Sequence, residues 1–469
     1  MIRLTTTNYV DFTRQIDTSL LPKSFLEAME VTRRLGVFYL WIDSLCIVQD
    51  SVVDWSQESS LMSDIYSGSF CNIAATRTTD STSGIFAERD PLEIRGCVVK
   101  DPNNSAIFKV ETDFYGSREW EGAISISPLM ARGWVLQECT LAPRTLHFGR
   151  DRLFWQCATQ KASEDSPAEL RVNRMRYYED VPPEDEDNGK EFHGPPGWAN
   201  IVHQYSRCEL TFPAKDKLVA ISGVAKNYGT SENYLAGLWK ENLIAQLTWR
   251  AFGGNERPQE YQAPSWSWAS VNKELKYSWR DGKLTRLQLV ASLLGTEITP
   301  VTADRFGKVS KGQLRIQGSL VKLKYRGHTA RNHVLLEWGT LRRTWRDLHS
   351  DSEFSILPSN RPISVDIDFI DELKRGEILY CMPLYYERDI SFSTQGTVHG
   401  IVLALTGKSR GEYERRGTIF LGDKSLGGAW IVDQFTQCCR EGAKEISRKC
   451  YESRDGRKHG MRMYTITIV

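Results

Sequence analysis

The chain has 469 residues, of which 41% are hydrophobic and 25% charged, with a formal net charge of +1. That length holds two or three domains with sizeable cores, and the composition is that of an ordinary soluble globular protein. A charge this close to zero supplies no field that calls for nucleic acid or an anionic membrane, so neither is expected as a partner.

The opening stretch MIRLTTTNYVDFTRQ has no apolar run, so no signal peptide is expected, and runs such as residues 401–405 are far too short to span a bilayer. Ten cysteines form no CxxC pair, and neither they nor the eight histidines show the spacing of zinc ligands. Cys438 and Cys439 are adjacent and badly placed to bridge each other. Reduced thiols, a cytoplasmic location and no metal or resident cofactor are the expectation.

In chain order, residues 23–75 read as helix, strand, helix, strand. Ser24 with Glu27 makes a capping box, Phe25, Met29, Thr32 and Leu35 share a face, and Gly36 stands where the helix would end. Residues 37–42 (VFYLWI) are a continuous apolar run, expected as a strand covered on both faces. Asp43, Ser44 and Cys46 follow at its carboxyl end. From Asp54 to Tyr66 the spacing is helical, and at about 100° per residue Trp55, Leu61, Met62, Ile65 and Tyr66 form one stripe with Glu58 near its middle. Residues 70–75 (FCNIAA) read as another buried strand. The alternation predicts a parallel α/β sheet, in which ligands bind outside the carboxyl ends of the strands.

Residues 76–126 read as loops with one or two strands, 132–138 (RGWVLQE) as a short helix, and 144–157 as a hairpin turning at Gly149 to Asp151. Residues 161–196 are an acidic, proline-containing stretch, expected as a mobile insertion. Helical spacing returns from Trp198 to about Ala251, a connector over 197–262. The stretch APSWSWAS then introduces a β-rich remainder, 263–469. No internal repeat is apparent.

The segments LWIDSLCIVQDSVVDWSQESSLMSDIYSGSFCNIAA and ARGWVLQECTLAPRTLHFGRDRLFWQC resemble the heterokaryon-incompatibility (HET) domain of fungal proteins. The likeness extends to LTTTNYVDFTRQIDTSLLPKSFLEAMEVTRRLG before them, and to DKLVAISGVAK, YLAGLWKENL and APSWSWASV after them. It implies a cytosolic part in allorecognition and programmed cell death, with other incompatibility proteins or further copies of the chain as partners. It also implies a fold similar to Toll/interleukin-receptor (TIR) domains, some of which cleave NAD with a helix glutamate. Trp55 and Glu58 of DWSQE resemble the Trp and Glu that begin that helix, at a spacing different by about a residue. HET domains usually open with an LSYxWG-type strand, which this chain starts too late to contain. A sheet short of one strand is therefore expected over residues 1–160, or else a start codon upstream.

Glu58 has two readings. A carboxylate on a core-facing stripe is either a structural group hydrogen-bonded to Arg132 or to backbone amides, or one that stabilises an oxocarbenium-like ribosyl cation. Asp43 and Asp50 fit turn or cap roles as well as a binding edge. Cys46 would need a base such as His147 or His203 to act as a nucleophile, and a small buried thiol is the simpler reading. Arg132 and Glu138 flank Trp134 as an i to i+6 pair, unless Arg132 binds a phosphate or carboxylate. The tryptophans of APSWSWAS fit domain interfaces better than ligand stacking, and the basic stretch 444–463 fits a solvated face. No Walker A, G-x-S-x-G or G-x-G-x-x-G motif is present.

The binding set expected around Glu58 is thus Asp43, Ser44, Cys46, Trp55, Arg132 and Trp134, with NAD as a possible substrate. Three functions stay open: a cell-death effector cleaving NAD or a nucleotide, a non-enzymatic recognition or oligomerisation module, and a fold recruited to biosynthetic chemistry.

Overall fold

A computed structural model describes residues 2–89, 97–100, 107–110, 120–167, 197–252, 257–277, 285–328, 334–338, 363–389, 397–422, 428–441 and 446–469. The chain divides into two compact units. The first comprises Met1–Asp180, Cys208–Thr211 and Val219–Asn227; the second comprises Val181–Arg207, Phe212–Leu218 and Tyr228–Val469.

The first unit is a mixed α/β body around a four-stranded sheet. Its strand order is Asn72–Ala74, Arg144–Phe148, Leu153–Cys157, Lys161–Ser163. Only the first pair is parallel; the other two are antiparallel. The expected parallel sheet is corrected here. The turn closed by Gly149 N–H to the Arg152 carbonyl is too short for a crossover, and so short a link forces an antiparallel hairpin. That hairpin lies where the sequence placed it. Trp120, Ile124 and Phe154 pack together, and Val31, Ile85 and Phe148 form a second cluster.

Residues 37–42 are not a strand. The run is irregular, with Phe38 92% and Tyr39 90% exposed. An apolar run becomes a strand only where a neighbour completes its ladder, and no described segment pairs with this one. The second expected strand shrinks to Asn72–Ala74, with Phe70 exposed.

The helix Lys23–Arg34 ends at Gly36 (φ +72°) as expected, but its N-cap is Pro22 and the capping box does not form. Glu27 instead accepts the N–H groups of Ile85 (2.5 Å) and Phe86 (2.9 Å), clamping a distant loop. Its buried positions are Ser24, Val31 and Thr32, while Leu35 of the expected face is exposed.

The second unit is built on an antiparallel-dominated sheet, eleven-stranded among the described residues. Its central strands, Thr397–Leu405, Glu412–Leu421 and Ile378–Asp389, carry a core of Leu379, Val402 and Ile419 that packs with Phe435 of the helix Gly428–Glu441. The β-rich remainder after APSWSWAS is therefore present. Trp249, Trp266 and Trp268 are fully buried inside this unit, their indole N–H groups donating to the carbonyls of Trp266, Gly312 and Gly237.

The expected helical connector is helical only at Trp198–Ser206, Pro213–Asp216, Val219–Lys226 and Leu243–Gln246. Between the last two, YLAGLW forms a tight hairpin, Tyr234–Leu235 against Leu238–Trp239. Ala236 and Gly237 both take positive φ there (46° and 97°), the demand of a two-residue primed turn. A Cβ on Gly237 would lie 2.7 Å from Trp268 Nε1, so the position requires glycine.

Most of the acidic stretch, 168–196, lies outside the described residues; Lys161–Ser163 is part of the sheet. Among the described residues no helix is long and apolar enough to cross a membrane, and no three His, Cys, Asp or Glu side chains are grouped to hold a metal ion.

Candidate functional site

The helix Val52–Ser67 starts at Ser51, whose Oγ accepts the Asp54 N–H at 3.2 Å. Asp54 in turn accepts the Val48 N–H at 2.7 Å, tying the helix to the turn before it. Asp50 is a clip, accepting the N–H (2.8 Å) and hydroxyl (2.7 Å) of Thr6.

The buried face of this helix is Ser59, Met62 and Ser63. Small side chains there let the helix Val219–Lys226 come close. A Cβ on Gly223 would stand 2.7 Å from Ser63 Cβ and 2.5 Å from Gln137 Oε1, which instead accepts the Gly223 N–H at 2.8 Å. Lys226 Nζ donates to the Ser60 carbonyl at 3.3 Å. Gly223 thus brings the Glu58 helix and the Gly133–Leu141 helix onto one partner.

This packing rotates the expected stripe. Leu61 is 46% exposed, and Glu58 sits half-buried at the border of the packed face rather than in its middle. No described residue hydrogen-bonds it, Arg132 included. It lies close enough to Cys46 for its charge to act on that thiol.

Asp43–Cys46 is a single helical turn, not the end of a strand. Asp43 is exposed and accepts the Ser44 N–H at 2.6 Å; the Ser44 carbonyl accepts the Leu4 N–H at 2.8 Å. Ser44 Oγ has no hydrogen-bond partner among the described residues. Cys46 is exposed rather than the buried thiol expected, because its short helical turn lies at the surface; partial desolvation still pushes its pKa up, and the carboxylates of Asp43 and Glu58 push it further. A thiol so held is a poor nucleophile. Each proposed base is bonded elsewhere. His147 lies buried in the sheet with Nδ1 3.1 Å from Thr76 Oγ1, its pKa driven down to about 4 by burial. His203 belongs to the second unit, where Nδ1 bonds the Leu275 carbonyl at 2.6 Å.

The perturbed carboxyl of this unit is Glu138, from the helix Gly133–Leu141. Burial pushes its pKa up to about 7, Arg132 pulls the other way, and the nearby charge of Asp43 raises it again. The Tyr66 phenol stands beside the Glu138 carboxyl, and its own pKa is raised by burial and by the charges of Glu138 and Asp43. Around them Trp41 meets Tyr66 edge-on at 5.7 Å, and Trp55 meets Trp134 edge-on at 6.3 Å.

Two linked groupings result. Asp43 acts on Tyr66 and Glu138, which act on each other, and Arg132 acts on Glu138, while Glu58 and Asp43 both act on Cys46. Asp43 belongs to both. The expected i to i+6 pair of Arg132 and Glu138 is present as an attraction between charges. The Glu138–Tyr66 pairing was missed, although its signal was in the sequence: GWVLQECTL is an apolar run with one carboxylate in it, the same anomaly that singled out Glu58. A carboxyl that titrates near neutrality, with a phenol and a guanidinium beside it, can take up or release a proton at physiological pH.

Residues 3–138, a stretch that contains every one of these side chains, match the family described as Heterokaryon incompatibility protein (HET). No curated protein and no solved structure matches the chain.

Proposed function

From a chain whose residues 3–138 form a heterokaryon-incompatibility domain, we propose a cell-death effector of fungal incompatibility that cleaves the N-glycosidic bond of NAD or a related nucleotide. The observation that carries the reading is the Glu138 carboxyl held near pKa 7 and raised in part by Asp43, which together with Glu58 also acts on Cys46.

The chemistry assigns distinct tasks to the two glutamates. When the C1′–N bond of NAD breaks, its electron pair leaves on neutral nicotinamide and a ribosyl cation forms. Glu58, half-buried and free of a hydrogen-bond partner among the described residues, is the carboxylate available to stabilise that cation. Water then adds to C1′ and gives up a proton, which a carboxylate with a pKa near neutrality can accept. Glu138 suits that second task, with Tyr66 and Arg132 steadying it. Asp43 supplies negative charge beside both, and Ser44 Oγ offers an unused hydroxyl to a ribose or phosphate oxygen. Trp55 and Trp134 supply aromatic surface, and Arg132 is exposed for a phosphate.

A non-enzymatic recognition module is the second reading, favoured by one observation. The side chains of Phe38 and Tyr39 stand in solvent at 92% and 90% exposure, in the manner of a contact surface rather than a core.

Incubating the purified chain with NAD and separating the products decides between them. Nicotinamide release that Glu58→Gln abolishes supports cleavage. Binding without turnover rejects cleavage in favour of recognition, and release that survives the substitution removes Glu58 from the mechanism.

A further inference from the structure

The second unit holds a cavity of about 380 Å³ lined by Arg257, Gln262, Lys311, Asp368, Lys408 and Arg415, among others. It is independent of the carboxylate site described above, and its wall is polar in an unusual way.

Arg415 is 1% exposed. Its guanidinium lies 3.3 Å from the centre of the Trp249 ring, donates to the Asp368 carboxylate through Nη1, and donates to the Trp249 carbonyl at 2.6 Å through Nη2. That leaves its Nε–H, which has no partner among the described residues. Gln262, 6% exposed, has an Oε1 in the same condition. A buried donor and a buried acceptor on one cavity wall are both without a partner, where such groups are nearly always bonded.

The charges add a direction. Asp368 is committed to Arg415, and Glu414 to Arg257 (3.8 Å) and Arg416 (3.3 Å). Lys311 and Lys408 are exposed, and neither has an anionic partner among the described residues. Glu260 is the lone lining carboxylate side chain not so engaged. The lining cations free of an anionic partner among the described residues are thus Lys311 and Lys408, set against Glu260 and the carboxyl group of Val469.

We propose that this cavity binds a small organic anion, a carboxylate or phosphate ester that also carries an N–H donor. Its negative group lies toward Lys311 and Lys408, an acceptor oxygen takes the Arg415 Nε–H, and its N–H meets Gln262 Oε1. The volume falls in the range of small-ligand sites, roughly 300–1,000 Å³.

Isothermal titration calorimetry of the full chain tests this with two anionic probes, AMP and N-acetylglutamate, and their neutral counterparts, adenosine and N-acetylglutaminamide. AMP and N-acetylglutamate distinguish a phosphate from a carboxylate preference. Binding of either anion, weakened by about tenfold in the neutral counterpart and in the Lys311→Ala, Lys408→Ala double variant, supports the site. Both lysines are exposed, so the double variant should fold; Gln262→Leu, checked by its melting curve, should weaken the same probe. The proposal is overturned by no binding of either anion up to ~10 mM, by neutral probes binding as tightly, or by unchanged affinity in the double variant.

Discussion

The Tyr66 phenol of the helix Val52–Ser67 stands beside the Glu138 carboxyl of the helix Gly133–Leu141, close enough for each to act on the other's ionisation. The pairing matters because both partners resist ionisation there: burial raises both pKa values, and the Glu138 charge raises that of Tyr66 further. The site is therefore a place where pH acts on folding as well as on chemistry.

Glu138 has an ordinary value of 4.5 and a folded value of about 7. The folded state thus holds a proton that the unfolded state has lost between those limits. Stability from this group is complete below pH 4.5 and declines as pH rises through about 7, beyond which a desolvated charge remains. Glu138→Gln keeps the shape beside Tyr66 and removes the charge. Above pH 7 the variant should be more stable by about 2 kcal/mol, a figure discounted for partial exposure, with little difference at pH 4. Parallel melting curves of the two proteins from pH 4 to 8 would show that Glu138 is not the shifted group.

Glu58→Gln separates chemistry from folding. With no hydrogen-bond partner among the described residues to lose, the variant should melt within about 0.5 kcal/mol of the parent. If Glu58 stabilises a ribosyl cation, NAD cleavage and cell killing should fall by about a hundredfold to a thousandfold. Full killing by the folded variant would remove Glu58 from the mechanism.

Gly223→Ala should loosen the packing that places both glutamates. The new Cβ would meet Gln137 Oε1 at 2.5 Å and Ser63 Cβ at 2.7 Å. Overpacking of this kind costs about 1–3 kcal/mol. Chemical denaturation measures it, and a neutral result would mean that the helices move apart freely.

Arg415→Met should destabilise the second unit strongly. Burial holds Asp368 above its ordinary pKa and Arg415 below its own, so desolvation outweighs their attraction. Removing one partner leaves the other buried and uncompensated, at a cost of about 3–5 kcal/mol. The double change Arg415→Met, Asp368→Leu should recover much of that loss, and a double-mutant denaturation cycle reads the difference.

Phe38→Ser with Tyr39→Ser should reduce self-association. The two rings are exposed on a run with no strand partner among the described residues, which favours pairing with another chain. Light scattering of the unsubstituted chain should show concentration-dependent growth that the double variant lacks; a stable monomer at high concentration would contradict this.

Much of the local structure was legible. The helix at residues 52–67, the hairpin turning at Gly149, the end of the first long helix at Gly36 and the β-rich remainder after Ala263 follow from periodicity, turn chemistry and β-branched composition, which act over a few residues. The family likeness was legible too, because it rests on long motifs in order. Residues 37–42 show the limit of that reasoning. Their apolar composition permits a strand, but the ladder partner that makes one lies elsewhere in the chain or in another chain.

What the sequence determined by itself was where carboxylates interrupt apolar segments, at Glu58 and Glu138, since that needs only residue order. Which of them is desolvated was decided by tertiary structure. Small residues at Ser59, Ser63 and Gly223 turn the helix so that Glu58 reaches the border of the packed face, while Glu138 meets Tyr66 and Asp43 from segments far away in sequence. A pKa depends on the water and charge within a few ångströms, and only folding brings those neighbours together.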